Sequence, residues 1–280
     1  RPEYPFNTSV PLCLTAMRVK ATYQMNGQVQ TYNCMTRRVT DDFGKGWPTD
    51  QPRNPATSAL FALLGPGLYR PEASARIDWA KFIEWRDFCA AKGLKFDLVV
   101  EGRQSLGDTL KMIGAAGRAS VYFDGSRWTV IIDKPRETPI DVITPRNASN
   151  VTFEVAYAEL PDALRIKFQD AQNDYQPAER IVRRPGLVGP VMTTEAMEMP
   201  GKTDPAEIYR EAIRRFYELQ YRNVVYRATQ DGIARSATRG DLVLASKDIL
   251  RRTMASGRVK RVRDNVVEVD ELWTMRAGTA

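Results

Sequence analysis

The chain has 280 residues, 43% hydrophobic and 27% charged, the composition of a folded protein rather than a disordered one. Its formal charge is +7, from 41 basic and 34 acidic side chains, and it contains no histidine. That last count excludes a Ser-His-Asp triad, a Cys-His dyad and any zinc site that needs imidazole.

At about 150 residues per domain the length predicts two domains, each large enough for its own core. Cys13, Cys34 and Cys89 are too few and too scattered for a four-cysteine metal site. Their odd number predicts folding in a reducing compartment, without a disulfide framework. No apolar run approaches the ~18–20 residues of a membrane span, and the basic, proline-containing start is unlike a signal peptide. The missing initiating Met predicts a piece of a longer protein.

From Met17 to Met25 apolar and polar residues alternate strictly, which predicts a half-buried strand. Asn26-Gly27 then suits a tight type I′ turn into a second strand, Val29–Cys34. Glycines and prolines from Asp41 to Pro55 predict a connection. Asn54 and Pro55 read as N-cap and first position of a helix carrying Leu60, Phe61, Leu63 and Leu64, ended by Gly65-Pro66-Gly67. Asp78 caps a second helix to about Lys92, with Trp79, Phe82, Ile83, Trp85, Phe88 and Cys89 as its apolar side and Gly93 after it. Such an aromatic stripe reads as core, not as a cofactor site.

Lys95–Glu101 is expected to be a short strand. Ser105 with Asp108 forms a capping-box pattern for a third helix to about Ala116, in which Gly107 and Gly114 lower helix propensity or mark close packing. A hairpin follows, turning at Asp124-Gly125. Pro135, Pro139 and Pro145 mark a second linker. Strands are expected at Val151–Tyr157, Ala163–Gln169 and Glu179–Arg184. Asp204, Pro205 and Glu207 open a long helix to about Tyr221, with Ile208, Ala212, Phe216 and Leu219 on its apolar side. Leu242–Ala245, Gly257–Val262 and Val266–Val269 are the last strand candidates. Short strands with polar turns predict a small barrel or sandwich.

Between residues 235 and 263 there are nine basic side chains (Arg235, Arg239, Lys247, Arg251, Arg252, Arg258, Lys260, Arg261 and Arg263) against Asp241 and Asp248. That stretch equals the whole net charge, so the rest of the chain is neutral. It suits an anionic partner or a subunit interface, or else is a solvated strand-and-loop face. No aromatic residues interleave it as a single-strand nucleic-acid platform requires.

Three acidic groups invite acid–base chemistry: Asp41 with Asp42, Glu195 with Glu198, and Asp264 with Glu268 and Asp270. Carboxylates that cleave glycans must face one another across a cleft, and each of these sits where a solvated loop or strand face places it. Gly65-Pro66-Gly67 ends a helix rather than opening one, so it is no phosphate cradle. No catalytic, cofactor-binding or metal-ligating residue can be named, and structural or binding roles lead by subtraction.

The order of the segments carries a resemblance. Asn54-Pro55-Ala56, the run Leu60–Leu64, Ile77-Asp78 with Trp79–Phe82, and Phe88-Cys89 come first. The helix from Ser105 to Gly117, the hairpin ending Val130–Pro135 and the linker Ile143–Asn147 follow. Ala163–Phe168, the helix from Ala206 to Arg222, Gly240–Ala245, Gly257-Arg258-Val259 and Val266–Asp270 complete the series. This order over roughly residues 50–275 resembles the central region of the tail-tip attachment, or host-specificity (protein J-like), family of long-tailed phages.

The resemblance implies a multi-domain α+β architecture. In it, residues 1–50 form a hairpin segment of a hub barrel and 51–135 an α+β domain of three helices and a hairpin. Residues 146–280 form a β-rich hub domain with one long helix and a small C-terminal barrel. It further implies a baseplate hub: a homotrimeric ring at the tip of the virion tail, assembled in the bacterial cytoplasm. Such a ring closes the tube, contacts other tail-tip and tube proteins, supports host attachment indirectly and opens for DNA. The alternative is a nucleic-acid-binding module using residues 235–263. Third is an enzyme, such as a carboxylate-dependent glycan hydrolase.

Overall fold

The computed structural model describes residues 38–65, 68–100, 104–144, 147–155, 160–230, 237–245, 258–264 and 266–269. The expected strands at Met17–Met25 and Val29–Cys34 lie outside them. The chain divides into two compact units, Arg1–Val130 and Ile131–Ala280.

In the first unit, helix α1 spans Pro55–Leu64, and the Asn54 side chain accepts the Ala56 N–H at 3.0 Å. Proline at the first position forfeits no helical bond there. Helix α2 spans Trp79–Lys92; Asp78 caps it, and Gly93 takes the left-handed conformation after it, with φ of 63°. Asp78 also accepts the Thr129 hydroxyl at 3.2 Å, and its N–H donates to the Trp128 carbonyl at 2.9 Å, so the cap ties α2 to the strand beside it. Helix α3 spans Leu106–Ala116, with Ser105 bonded both to the Asp108 N–H and to its carboxylate. Strands β1 (Ala119–Phe123) and β2 (Trp128–Ile132) form the hairpin.

The core of this unit includes Leu60, Leu63, Phe82, Trp85, Cys89, Leu110, Ile113 and Val130, all buried. Phe82 and Trp85 meet edge to face at 6.1 Å, and the Trp85 indole N–H donates to the Gly117 carbonyl at 2.9 Å. A buried indole with its one donor satisfied is stabilising rather than costly. Ile83, expected on the apolar side of α2, is exposed instead. Gly114 marks close packing: a Cβ there would lie 2.7 Å from the Ala119 carbonyl oxygen.

The expected strand at Lys95–Glu101 is absent over residues 95–100, and Glu101 lies outside the described residues. Phe96 is buried and its N–H reaches the Arg53 carbonyl at 2.8 Å, while Arg53 and Asp97 form an ion pair. Leu98, Val99 and Val100 are exposed. The sequence is extended and β-prone, but a strand exists only where a second backbone pairs with it.

The second unit is built on strands β5 (Ala163–Asp170), β6 (Gln176–Arg183) and β7 (Thr194–Glu198) and helix α4 (Pro205–Tyr221). The sheet order is β6-β5-β7, with β6 antiparallel and β7 parallel to β5. Leu164, Ile166 and Val182 from the sheet meet Ile208, Ala212 and Phe216 from the helix in one buried cluster. Spacing of four along α4 places its three on one face. At the helix start Asp204 accepts the Ala206 N–H at 2.9 Å. Glu207, expected to complete a capping box, is buried and ion-paired with buried Lys202.

The proline-marked linker contains a strand, β3 (Asp141–Ile143), paired in parallel with β9 (Val243–Ala245). Strand β4 (Ala148–Val155) pairs antiparallel with β8 (Val224–Gln230), and β10 (Val259–Arg263) with β11 (Val266–Val269). Strands β3, β7 and β8 are not among those the sequence predicts. The architecture is α+β with several small sheets, and among the described residues these sheets, of two or three strands each, do not close into the expected barrel. No helix of the described residues is long and apolar enough to cross a membrane.

Candidate assembly surfaces

Of the nine basic residues, Arg235, Lys247, Arg251 and Arg252 lie outside the described residues. Arg239 is exposed at the turn before β9, and Arg258, Lys260, Arg261 and Arg263 are exposed on or beside β10. Asp241, inside the same sequence run, accepts the Thr238 N–H at 2.9 Å and hydroxyl at 2.8 Å and pairs with Arg136 at 3.4 Å. It closes a turn and ties that turn to Arg136.

The register of β10 with β11 decides what those charges form. Val259 pairs with Val269 and Arg261 with Glu268, so Lys260 is an extra, bulged residue. Val262 then pairs with Val267, and Arg263 with Val266 across a turn in which Asp264 has φ of 47°. Alternation puts Val259, Val262, Val267 and Val269 on one face and Arg261, Arg263, Glu268 and Val266 on the other. The bulge keeps two valines three residues apart on the same side. A run that reads as a basic patch is therefore an amphipathic hairpin, and Val259, Val262, Val266 and Val267 are all more than half exposed.

The β4–β8 sheet repeats the pattern. Phe153 pairs with Tyr226, rings 6.4 Å apart, and both are exposed. On the opposite face Glu154 and Arg227 pair at 2.7 Å. A bulge at Asn150, with φ of 52°, sets this register. Sequence reading missed this surface because β8 was overlooked, although Val224, Tyr226 and Ala228 alternate with Val225, Arg227 and Thr229.

The proposed carboxylate groups do not converge. Asp41 and Asp42 accept the N–H groups of Phe43 and Gly44, which is turn closure. Glu195 and Glu198 lie three residues apart on β7, on opposite faces. Asp264 occupies the β10–β11 turn, Glu268 stands opposite Arg261, and Asp270 lies outside the described residues.

An ionic cluster that no motif announced joins the chain after β2 to α4. The Asp133 carboxylate accepts from Arg222 at 2.9 and 3.0 Å and also binds Arg214, which pairs with Glu218 at 2.6 Å. The hydrogen bond from Arg222 holds the Asp133 carboxyl below the usual range, and Asp133 in turn raises the Arg222 guanidinium. The pairing spans roughly ninety residues of sequence, so local spacing carries no sign of it.

A search of curated proteins finds no match. Among solved structures, a tail protein from Neisseria meningitidis MC58 aligns at 10% identity and a TM-score of 0.40, covering 68% of this chain. The aligned part is 62% of that protein, so this chain spans about three-fifths of its length. A family described as "Putative phage tail protein" matches residues 106–262, from the start of α3 into β10. With more than half of its residues inside that match, the chain belongs to this family of phage tail proteins.

Proposed function

We propose that this tail protein is a baseplate-hub-like component of the tail tip, a structural rather than catalytic part of the virion. In this reading three copies form a ring that closes the distal tube, binds neighbouring tail proteins, supports host attachment and opens for DNA. Residues 51–135 and 146–280 act as its α+β and hub domains, and assembly takes place in the host cytoplasm. The observation that supports assembly is the β10–β11 hairpin. An isolated two-stranded hairpin is marginal in water, and this one exposes a valine face. Covering that face with a neighbouring chain removes it from water, and a strand edge that is unpaired among the described residues can pair across copies.

Light scattering coupled to size-exclusion chromatography, over a concentration series, tests this reading. A species near three times 31.7 kDa supports it; a monomer throughout counts against ring formation by this chain. The nucleic-acid alternative draws on the exposure of Arg258, Lys260, Arg261 and Arg263. It predicts DNA binding that weakens steeply with salt, and the absence of a mobility shift at low salt removes it.

A further inference from the structure

The connection from β6 to β7 has an unusual composition for an exposed loop. Residues 185–194 carry no charged side chain, and the stretch includes Leu187, Val188, Val191 and Met192. Val188 is 96% exposed and Met192 81%. Gly186 and Gly189 have positive φ, at 77° and 109°, and turn the tip outward.

The loop is held at its neck. One Asp162 carboxylate oxygen accepts the N–H groups of Met192 at 2.9 Å and Thr193 at 3.0 Å, and the other accepts from Arg184 at 3.3 Å. The Arg184 N–H donates to the Asp162 carbonyl at 2.8 Å, and the Leu187 N–H to the Arg184 carbonyl at 3.2 Å. These bonds hold Asp162 below the usual carboxylate range. They fix both ends of the loop to the start of the central strand β5, so the apolar tip is presented rather than collapsed.

The geometry points to a phospholipid bilayer surface as the partner of this tip. Three features favour lipid over a protein groove. First, the tip has aliphatic side chains but neither the aromatics nor the arginine that anchor protein interfaces. Second, its backbone is partly prepared to leave water: Pro185 and Pro190 bring no N–H, and those of Leu187, Met192 and Thr193 are already bonded within the loop and its neck. Third, Arg183 is exposed at the neck, where its guanidinium binds the Gly189 carbonyl and meets no carboxylate among the described residues. A cation just behind an apolar tip lies at headgroup depth when the tip enters the interface.

The inference goes beyond the hub reading, to a contact that a tail tip can make with the envelope lipid of its host, and it does not depend on trimer formation. The test is co-flotation of the full chain with vesicles of phosphatidylethanolamine and phosphatidylglycerol, with solution mass measured in parallel. The wild-type chain should float with the vesicles. The double variant Val188→Asp/Met192→Asp should bind about tenfold more weakly or less, with unchanged circular dichroism and melting. The milder Val188→Ser/Met192→Ser should fall between, and Arg183→Gln should weaken binding only where the vesicles contain the anionic lipid. Failure of the wild type to float, or equal flotation of the aspartate variant, overturns the inference. So does a change in solution mass without lipid binding, which would make the loop a protein contact. A monomer that still floats would refute the trimer and leave the lipid contact standing.

Discussion

Gly117→Ala isolates one steric fact in the first unit. Gly117 follows α3 with φ of −97°, which any residue can adopt, so the substitution introduces no backbone strain. The added Cβ would lie 2.6 Å from Cζ2 and 2.8 Å from Nε1 of Trp85, and 2.9 Å from Cβ of Pro55. Ordinary contacts begin near 3.4 Å, so the indole or the chain must move by more than half an ångström. Trp85 is fully buried against Phe82, and its N–H bonds Gly117 itself, so movement strains packing and weakens that bond. Overpacking of this kind costs ~1–3 kcal/mol and a weakened buried hydrogen bond ~1 kcal/mol. Reduced freedom of the unfolded chain returns ~0.4–1 kcal/mol. The expected net loss is therefore ~1–3.5 kcal/mol, a large part of the ~5–15 kcal/mol of a typical domain. Urea unfolding followed by tryptophan fluorescence measures it, because Trp47, Trp79, Trp85 and Trp128 all lie in this unit. The midpoint should fall by about 1 M at ordinary denaturant slopes. Gly107→Ala is the control: only the Ser105 hydroxyl comes near, at 3.8 Å, and helix propensity predicts a gain of up to ~1 kcal/mol. A Gly117→Ala protein as stable as the wild type would refute the packing assigned to Trp85.

Lys202→Met should destabilise the second unit by ~3–5 kcal/mol in a denaturant titration, because Glu207 would be buried without its cation. Lys202→Met/Glu207→Leu should recover most of that loss, and no recovery would show that the pair does more than neutralise itself. The carboxyls of Asp133 and Asp162 are held below the usual range, so their ionised forms favour the folded state. Their stabilisation should be complete above the unfolded-state pKa of ~3.9 and fade as pH falls through the lower folded value. Melting temperatures from pH 5 down to pH 2, at about one-unit steps, should drop less in Asp133→Asn than in the wild type. Val262→Lys/Val267→Asp should leave the monomer's melting nearly unchanged, since both side chains are exposed and the opposite charges face one another across the strands, but abolish any trimer seen by light scattering. Charge reversal at Arg258, Lys260 and Arg261 should likewise alter assembly more than folding; an unchanged elution profile in both cases would exclude this hairpin from the interface.

Local chemistry was legible from the residues alone. The caps at Asn54, Asp78, Ser105 and Asp204 each act on their own helix within a few residues, so their side chains identify the helix starts. The Asp124-Gly125 turn and the apolar spacing of Ile208, Ala212 and Phe216 are local in the same sense. The collinear order of segments resembles a phage tail-tip family, and the match over residues 106–262 agrees at the level of a phage tail protein.

Long-range pairing was not legible, because it depends on which distant backbone arrives. Leu98-Val99-Val100 has strand composition but pairs with no strand among the described residues, whereas the modest Asp141–Ile143 is a strand because residues 243–245 lie alongside. Asp133 meets Arg214 and Arg222, and Asp162 captures Thr193, across distances in sequence at which no periodicity survives. The basic run illustrates the division most directly. Its composition was fixed by the residues, but one bulge at Lys260 decided that valines share a face and arginines the other. Side-chain identity sets what a segment can bury or charge; only register, a property of two strands together, sets which side faces a partner.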